Sequence, residues 1–220
     1  MGAYQGHGSV AVPHGILVTW ATMMEGGIQV NASGRRFSNE HHGYSEQSVA
    51  VLAQPGGQAV NVFDGRCDAA ARQFEDYRNA LETGAVRRFE DAPALAAAFG
   101  LPADALEATL AECRAFAAGK AVDPFGRSFT GKPPLAPPYF AVRVTGALFH
   151  TQGGLVVGPD ARVRRADGTP LPNLLAAGGT ACGVSGPAVW GYLSGNGLLA
   201  AVGLGRIAGR EAARIARENR

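Results

Sequence analysis

Residues 190–201, WGYLSGNGLLAA, set Gly195, Gly197 and Ala200 in G-x-G-x-x-A spacing at the head of a long apolar-periodic run. That run, GNGLLAAVGLGRIAGREAARIARENR, has apolar residues at 198, 199, 202, 204 and 207, which predicts one long helix opened by glycines. The first turn of such a helix carries free backbone N–H groups and the positive end of the helix dipole. The same spacing is the short form of the dinucleotide-binding fingerprint. That fingerprint needs a strand just before it and a second strand, about 20 residues on, whose acidic end holds the ribose. Here the strand-like NLLAAGG lies upstream across a loop, and Arg220 is reached before any second strand. An ADP site is not expected on this segment. Two readings stay open: a helix start that receives an electron-rich acceptor, such as the pyrimidine end of a flavin, or a close helix–strand contact with no ligand.

The bulk of the chain sets the class. Its 220 residues are 46% hydrophobic and 17% charged, as in a globular protein of one large or two small domains. No apolar run is long enough to cross a bilayer, and MGAYQGHGSV lacks the basic and apolar regions of a signal peptide, so a cytoplasmic setting is expected. A net charge of +2 gives no electrostatic case for nucleic acid. Cys67, Cys113 and Cys182 have no CxxC or Cys/His spacing. They read as buried thiols in a reducing compartment, with no metal site.

Along the chain three zones differ. Residues 1–57 are rich in glycine, with GILVTW and GGIQVN as short strands and NASGRRF as a hairpin turning at Ser33-Gly34. Residues 58–138 read as the strand AVNVFD, the helix CDAAARQFEDYRNALETG stopped by Gly84, DAPALAAAFG capped by Asp91, and LPADALEATLAECRAFAAGK closed by Gly119. The proline-rich loop DPFGRSFTGKPPLAPP follows. Strands return in YFAVRVTGALFH, GGLVV, ARVRR and NLLAAGG. The fold class expected is α/β, with a helical module inserted between two strand-and-glycine zones.

The order GGIQVNASGRRFSNE, helical module, FHTQGGLVV, NLLAAGGTACGVSG, GNGLLAAVGLGRIAG resembles the carboxy-terminal portion of the fumarate reductase/succinate dehydrogenase flavoproteins, a family that includes the ketosteroid dehydrogenases. The resemblance covers nearly the whole chain. It implies an α+β capping module within an incomplete FAD-binding α/β domain of glutathione-reductase-like type. Residues 1–27 would lead into the cap, 28–149 would form it, and 150–220 would be the carboxy-terminal FAD-binding segment. The amino-terminal strand–GxGxxG–helix that holds the ADP half is expected to be missing, so the isolated chain should bind FAD weakly or not at all. A separate chain carrying that half is one possible partner.

The resemblance also assigns roles. Gly178, Gly179, Ser194, Gly195, Asn196, Gly197, Leu198 and Leu199 would lie against the flavin. His7 in YQGHGS and His150 in FHTQGG match substrate-contacting histidines, each able to donate a hydrogen bond to a carbonyl or carboxylate oxygen. Their alternatives are a buried, satisfied histidine and a strand-end packing residue. Departures from the family pattern carry as much information. Tyr44 in NEHHGYSEQ stands where fumarate reductases carry a proton-delivering arginine, GVSGPAVWGYLSGN contains no basic residue, and Trp20 and Met23 replace the acid–base relay. Dicarboxylate recognition relies on guanidinium forks, so fumarate and succinate are poor guesses. Tyr192 and Ser194 form Y-x-S before the helix start, similar to the ketosteroid dehydrogenase branch, where tyrosines act as acid and base around a ring ketone. The catalytic candidates are thus Tyr192, His150, Tyr44, His7 and Ser194. For Tyr44 and Tyr192 the alternative is a core aromatic. Arg127 in DPFGRSF reads as a loop-bracing arginine or a binder of acidic substrate, and His14, His41 and His42 as surface. The function expected is part of an FAD-dependent oxidoreductase acting on a C–C bond next to a carbonyl of a small substrate. The alternatives are a non-catalytic remnant, or a half-enzyme completed by a separate ADP-binding chain.

Overall fold

The computed structural model describes residues 4–185, 188–189 and 192–218, except the side chains of Tyr4 and His150. The chain is α/β and divides into two compact units, Met1–Gln5 with Leu148–Arg220, and Gly6–Ala147. Residues 6–27 fall in the second of these units.

Unit Gly6–Ala147 is built on a sheet in which β1 (Tyr4–Ala11), β5 (Tyr139–Thr151), β3 (Gln58–Asp64) and β2 (Ile28–Val30) are neighbours in that order, with β4 (Arg87–Phe89) also on β5. β3 pairs antiparallel with both neighbours, Asn61 facing Gln29 on one side and Val142 on the other. Six of its seven residues are buried, so its apolar run is explained by cover on both faces. The helices are α1 (Ala21–Met24), α2 (Tyr44–Leu52), α3 (Gly65–Ala71), α4 (Glu75–Glu82), α5 (Ala92–Phe99) and α6 (Ala103–Ala117). Asp64 caps α3 by accepting from Arg66 and Cys67 N–H, and Asp91 caps α5 by accepting from Ala94 N–H. Gly100 ends α5 at φ +67°, a left-handed cap that suits glycine.

Some expectations fail for local reasons. The helix expected from Cys67 to Gly84 is two, because Phe74 is extended between α3 and α4 (φ −92°, ψ 132°). Tyr77 then buries its ring with its hydroxyl donating to Asp68 at 2.8 Å. GILVTW forms only an isolated bridge, Val10 to Leu17, before α1 begins. The turn at Gly34 is present, held by its N–H donating to Asn31 O at 2.9 Å, but no strand follows it. Cys67 and Cys113 are buried as expected; Cys182 is exposed, on the segment after the Leu155–Ala181 bridge.

The other unit holds the hairpin β6 (Arg162–Arg164) and β7 (Pro170–Leu175), a 3-10 turn at Gly178–Thr180 and the helix α7 (Asn196–Glu218). GGLVV contributes only the bridges of Leu155 and Val157, not a strand. The core of this unit is small: Val163, Ala176 and Ala181 are its buried cluster. Along α7 only Asn196 and Ala200 are buried, while Leu198, Leu199 and Val202 are 78%, 63% and 73% exposed.

Candidate functional site

Both units carry candidate residues. In the unit of α7, a cavity of about 390 Å³ is lined by Gly178, Gly179, Tyr192, Gly195, Asn196 and Gly197, among others. Gly195 has φ +80° and Gly178 φ +59°, conformations that side-chain-bearing residues rarely adopt. A Cβ on Gly179 or Gly195 would meet nothing within 4 Å, so open space, not crowding, surrounds these glycines. The orphan N–H groups of the 23-residue α7 begin here.

Asn196 is not a free ligand-binding amide. It is 2% exposed, and its Nδ2 donates to Gln152 Oε1 at 3.0 Å and to Ser185 Oγ. Ser185 Oγ also accepts from Leu193 N–H at 3.0 Å. Gln152, from FHTQGG, thereby ties the end of β5 to the helix start, a role that sequence reading missed. The glycines around it have steric reasons. A Cβ at Gly183 would strike the Gln152 side chain, and one at Gly154 would come within 2.5 Å of Thr180 O. Such a motif is legible only once these two backbones are known to touch. Leu198 borders the cavity and Leu199 is exposed nearby on the helix; Ser194 is exposed in the preceding turn. His150 lies in β5, and its side chain is outside the described residues, as is Trp190.

In unit Gly6–Ala147, His7, Trp20 and Tyr44 meet. His7 is 7% exposed on β1, its ring stacked on Tyr44 with centroids 4.9 Å apart and edge-on to Trp20 at 5.6 Å. Glycines on either side of His7 allow this: a Cβ at Gly6 would strike Ser48, and one at Gly8 would lie 2.8 Å from the Gln47 backbone. Burial lowers the His7 pKa to about 4, so the ring is neutral near pH 7. Ser9 N–H donates to its Nδ1 at 3.2 Å, which places the ring proton on Nε2. His7 can orient an acceptor but carries no proton to give up as an acid at neutral pH.

A buried polar network fixes this strand. Gln29 Nε2 donates to Gly8 O at 2.7 Å and to Asn61 Oδ1 at 2.8 Å, Asn61 donates to Ser9 Oγ at 2.7 Å, and Gln47 donates to Gln29 Oε1 at 2.8 Å. Beside it Glu40, fully buried, accepts from Arg36 Nε at 2.9 Å and from Arg127 at 3.0 Å, and Arg36 also pairs with Asp123. Burial alone would raise the Glu40 pKa, but the two guanidinium groups and Gln29 N–H outweigh it and hold the carboxylate ionised. Arg127 is therefore a loop-bracing residue. His41 is not a surface residue: it is half-buried, with Met23 O accepting from its ring.

A family model described as an FAD binding domain matches residues 1–198. The fumarate reductase (cytochrome) of Shewanella frigidimarina is 31% identical over 98% of this chain and 37% of its own length. The open conformation of a flavocytochrome c3 fumarate reductase superposes with a TM-score of 0.73 at 29% identity, over 97% of this chain and 37% of that one. The 3-ketosteroid delta1-dehydrogenase of Sterolibacterium denitrificans, solved with 1,4-androstadiene-3,17-dione, gives 0.67 at 26%, over 96% of this chain and 43% of that one. The chain belongs to the FAD-binding flavoprotein family that includes fumarate reductases and ketosteroid dehydrogenases, and FAD is the cofactor of that family. It spans well under half the length of these relatives. Among the described residues no helix is long and apolar enough to cross a membrane, and no cluster of His, Cys, Asp and Glu is arranged to hold a metal.

Proposed function

We propose that this chain forms part of an FAD-dependent oxidoreductase that acts on a C–C bond next to the carbonyl of a small, uncharged cyclic ketone or enone. The observation that carries the substrate class is the His7–Tyr44–Trp20 cluster: a neutral imidazole donor, a phenol and an indole, with no guanidinium among them. Such a set suits a carbonyl oxygen and an apolar ring, whereas a dicarboxylate needs charged forks. His7 Nε2–H would donate to the carbonyl oxygen, with Tyr44 beside it as a proton carrier; Tyr192, on the other unit, is a separate candidate for that role. His150 and Ser194 stay in the proposal as secondary contacts.

Gly178, Gly179, Gly195, Gly197, Leu198 and the start of α7 fit the flavin end of FAD. They combine open space over backbone with the N–H groups and positive dipole of a helix start. The bound flavin supplies the hydride acceptor or donor. Leu199 and Asn196 border this region on the same helix, Asn196 acting through Gln152 and Ser185 to hold the helix start in place.

The ADP half has no fingerprint within these 220 residues, and we assign it to sequence outside them, in the same polypeptide or in a partner chain. The exposed Leu198, Leu199 and Val202 of α7, in a unit whose buried cluster among the described residues is Val163, Ala176 and Ala181, support that reading. The test is steady-state turnover by the complete flavoprotein, with fumarate and with cyclic enones as substrates. Turnover of an enone with negligible fumarate reduction is expected; efficient fumarate reduction overturns the substrate class.

A further inference from the structure

We propose that Gln29 and Asn61 are positioning residues for His7: with Gln47 they form a buried, one-way chain of amides that holds the Gly8–Ser9 peptide and thereby keeps the His7 ring proton on Nε2. The proposal rests on the reading of His7 as donor to the substrate carbonyl.

The sheet lays the chain out. Gln29 of β2 and Asn61 of β3 are directly opposite in register, so both side chains leave the sheet on the same face. Gln47 on α2 donates to Gln29 Oε1 at 2.8 Å, Gln29 donates to Asn61 Oδ1 at 2.8 Å, and Asn61 donates to Ser9 Oγ on β1 at 2.7 Å. None of the four residues is more than 2% exposed. Each amide accepts from the one before it and donates to the next, so turning Gln29 or Asn61 over breaks every side-chain bond it makes in the chain. Apolar side chains of the same shape would fill this volume at little cost, so stability alone does not account for three amides here.

What the chain orients is one peptide. Gln29 Nε2 also donates to Gly8 O at 2.7 Å, and the N–H of that same peptide, from Ser9, donates to His7 Nδ1 at 3.2 Å. The peptide is trans and planar, with C=O and N–H pointing in opposite directions, so a fixed carbonyl aims the N–H. Gly8 would otherwise let it turn. A Cβ there would lie 2.8 Å from the Gln47 backbone. Ser9 is held from two further sides, its Oγ by Asn61 and its O by Val18 N–H at 2.9 Å. A neutral imidazole carries one proton, and an N–H facing Nδ1 puts it on Nε2. With that peptide turned, the Nδ1–H tautomer becomes available and Nε2 stops donating.

The test is the imidazole nitrogen NMR spectrum of the complete flavoprotein labelled in histidine, with the His7 signal identified through His7→Gln, beside steady-state kinetics on cyclohex-2-enone. The spectrum needs no substrate, so it reports on the amide chain whether or not the enone reading holds. The wild type should show a protonated Nε2 and a bare Nδ1. Gln29→Met, which keeps the side-chain length and removes the amide, should show both tautomers, and kcat/KM should fall about tenfold, mainly through KM. Asn61→Leu should act in the same direction and carries the test where Gln29→Met does not fold. Val62→Ala, on the other face of β3, should lower the unfolding midpoint and leave tautomer and KM unchanged. A His7 ring that stays wholly Nε2-protonated in both amide variants, or an equal tautomer shift in Val62→Ala, overturns the proposal. A tautomer shift in the amide variants with kcat/KM unchanged supports the chain's hold on His7 and overturns the carbonyl-donor reading beneath it.

Discussion

The imidazole of His7 lies 4.9 Å from the phenol ring of Tyr44, centroid to centroid, with the two planes 19° from parallel. One residue sits on β1 and the other opens α2, and Gly6 and Gly8 let these elements approach closely enough for the rings to stack. The contact joins a neutral hydrogen-bond donor to a hydroxyl able to carry a proton, the two kinds of group that chemistry beside a carbonyl requires.

Buried His7 makes stability depend on pH. Its pKa falls from 6.5 in the unfolded chain to about 4 in the folded one. Between those values the unfolded state binds a proton that the folded state excludes, so stability is fully present above pH 6.5 and is lost as pH drops toward 4. The loss reaches about 3 kcal/mol. Urea unfolding midpoints measured across this window should fall with acid for the wild type and much less for His7→Gln. Equal slopes for the two proteins would mean that His7 titrates normally.

Glu40 pairs with two buried arginines, so removing it leaves Arg127 without its ion partner and Arg36 with Asp123 alone. Glu40→Ala should destabilise unit Gly6–Ala147 by about 3–5 kcal/mol, seen as a lower midpoint in chemical unfolding. A loss below about 1 kcal/mol would place this triad with solvated surface pairs, against its burial.

The elements that sequence made legible are those with local causes. The Asp91 cap, the Gly100 stop and the apolar run of β3 each follow from a few neighbouring residues, and each appears where periodicity puts it. What was not legible depends on contacts between distant segments. Nothing near Gln152 announces that its amide meets Asn196, 44 residues on. Nothing in NEHHGYSEQ shows that His41 is drawn inward by Met23 or that Glu40 is fully buried between Arg36 and Arg127. His7 and Tyr44 were each picked out by resemblance, but their stacking rests on glycines whose need emerges only from the packing of α2 on β1.

The three cysteines should separate by reactivity. Burial raises the Cys113 pKa to about 11 and the Cys67 pKa to about 12, keeping both as unreactive thiols, whereas Cys182 is exposed. Titration of the native protein with a disulfide reagent at pH 8 should show one fast thiol, abolished by Cys182→Ser, and two more only on unfolding. A fast phase that survives Cys182→Ser would mean that the Cys67 or Cys113 region opens readily.

The proton carrier in the proposed reaction is the remaining question, and the two tyrosines can be separated. Tyr192 lines the glycine cavity at the start of α7, while Tyr44 stacks on His7. Replacing either with phenylalanine removes one hydroxyl and keeps the ring, so packing is largely preserved. Loss of a general acid or base typically costs ~10²–10⁴-fold in kcat. In the complete flavoprotein, Tyr192→Phe is expected to lower kcat by that order with flavin content unchanged. Tyr44→Phe should raise KM more than it lowers kcat, if its ring mainly holds the neutral His7 donor in place. The distinguishing readout is the pH profile: removing the true proton carrier abolishes one limb of the bell, and removing a positioning ring does not. Should Tyr192→Phe leave kcat within a few-fold while Tyr44→Phe removes the limb, the acid–base role passes to Tyr44 and Tyr192 is a packing aromatic.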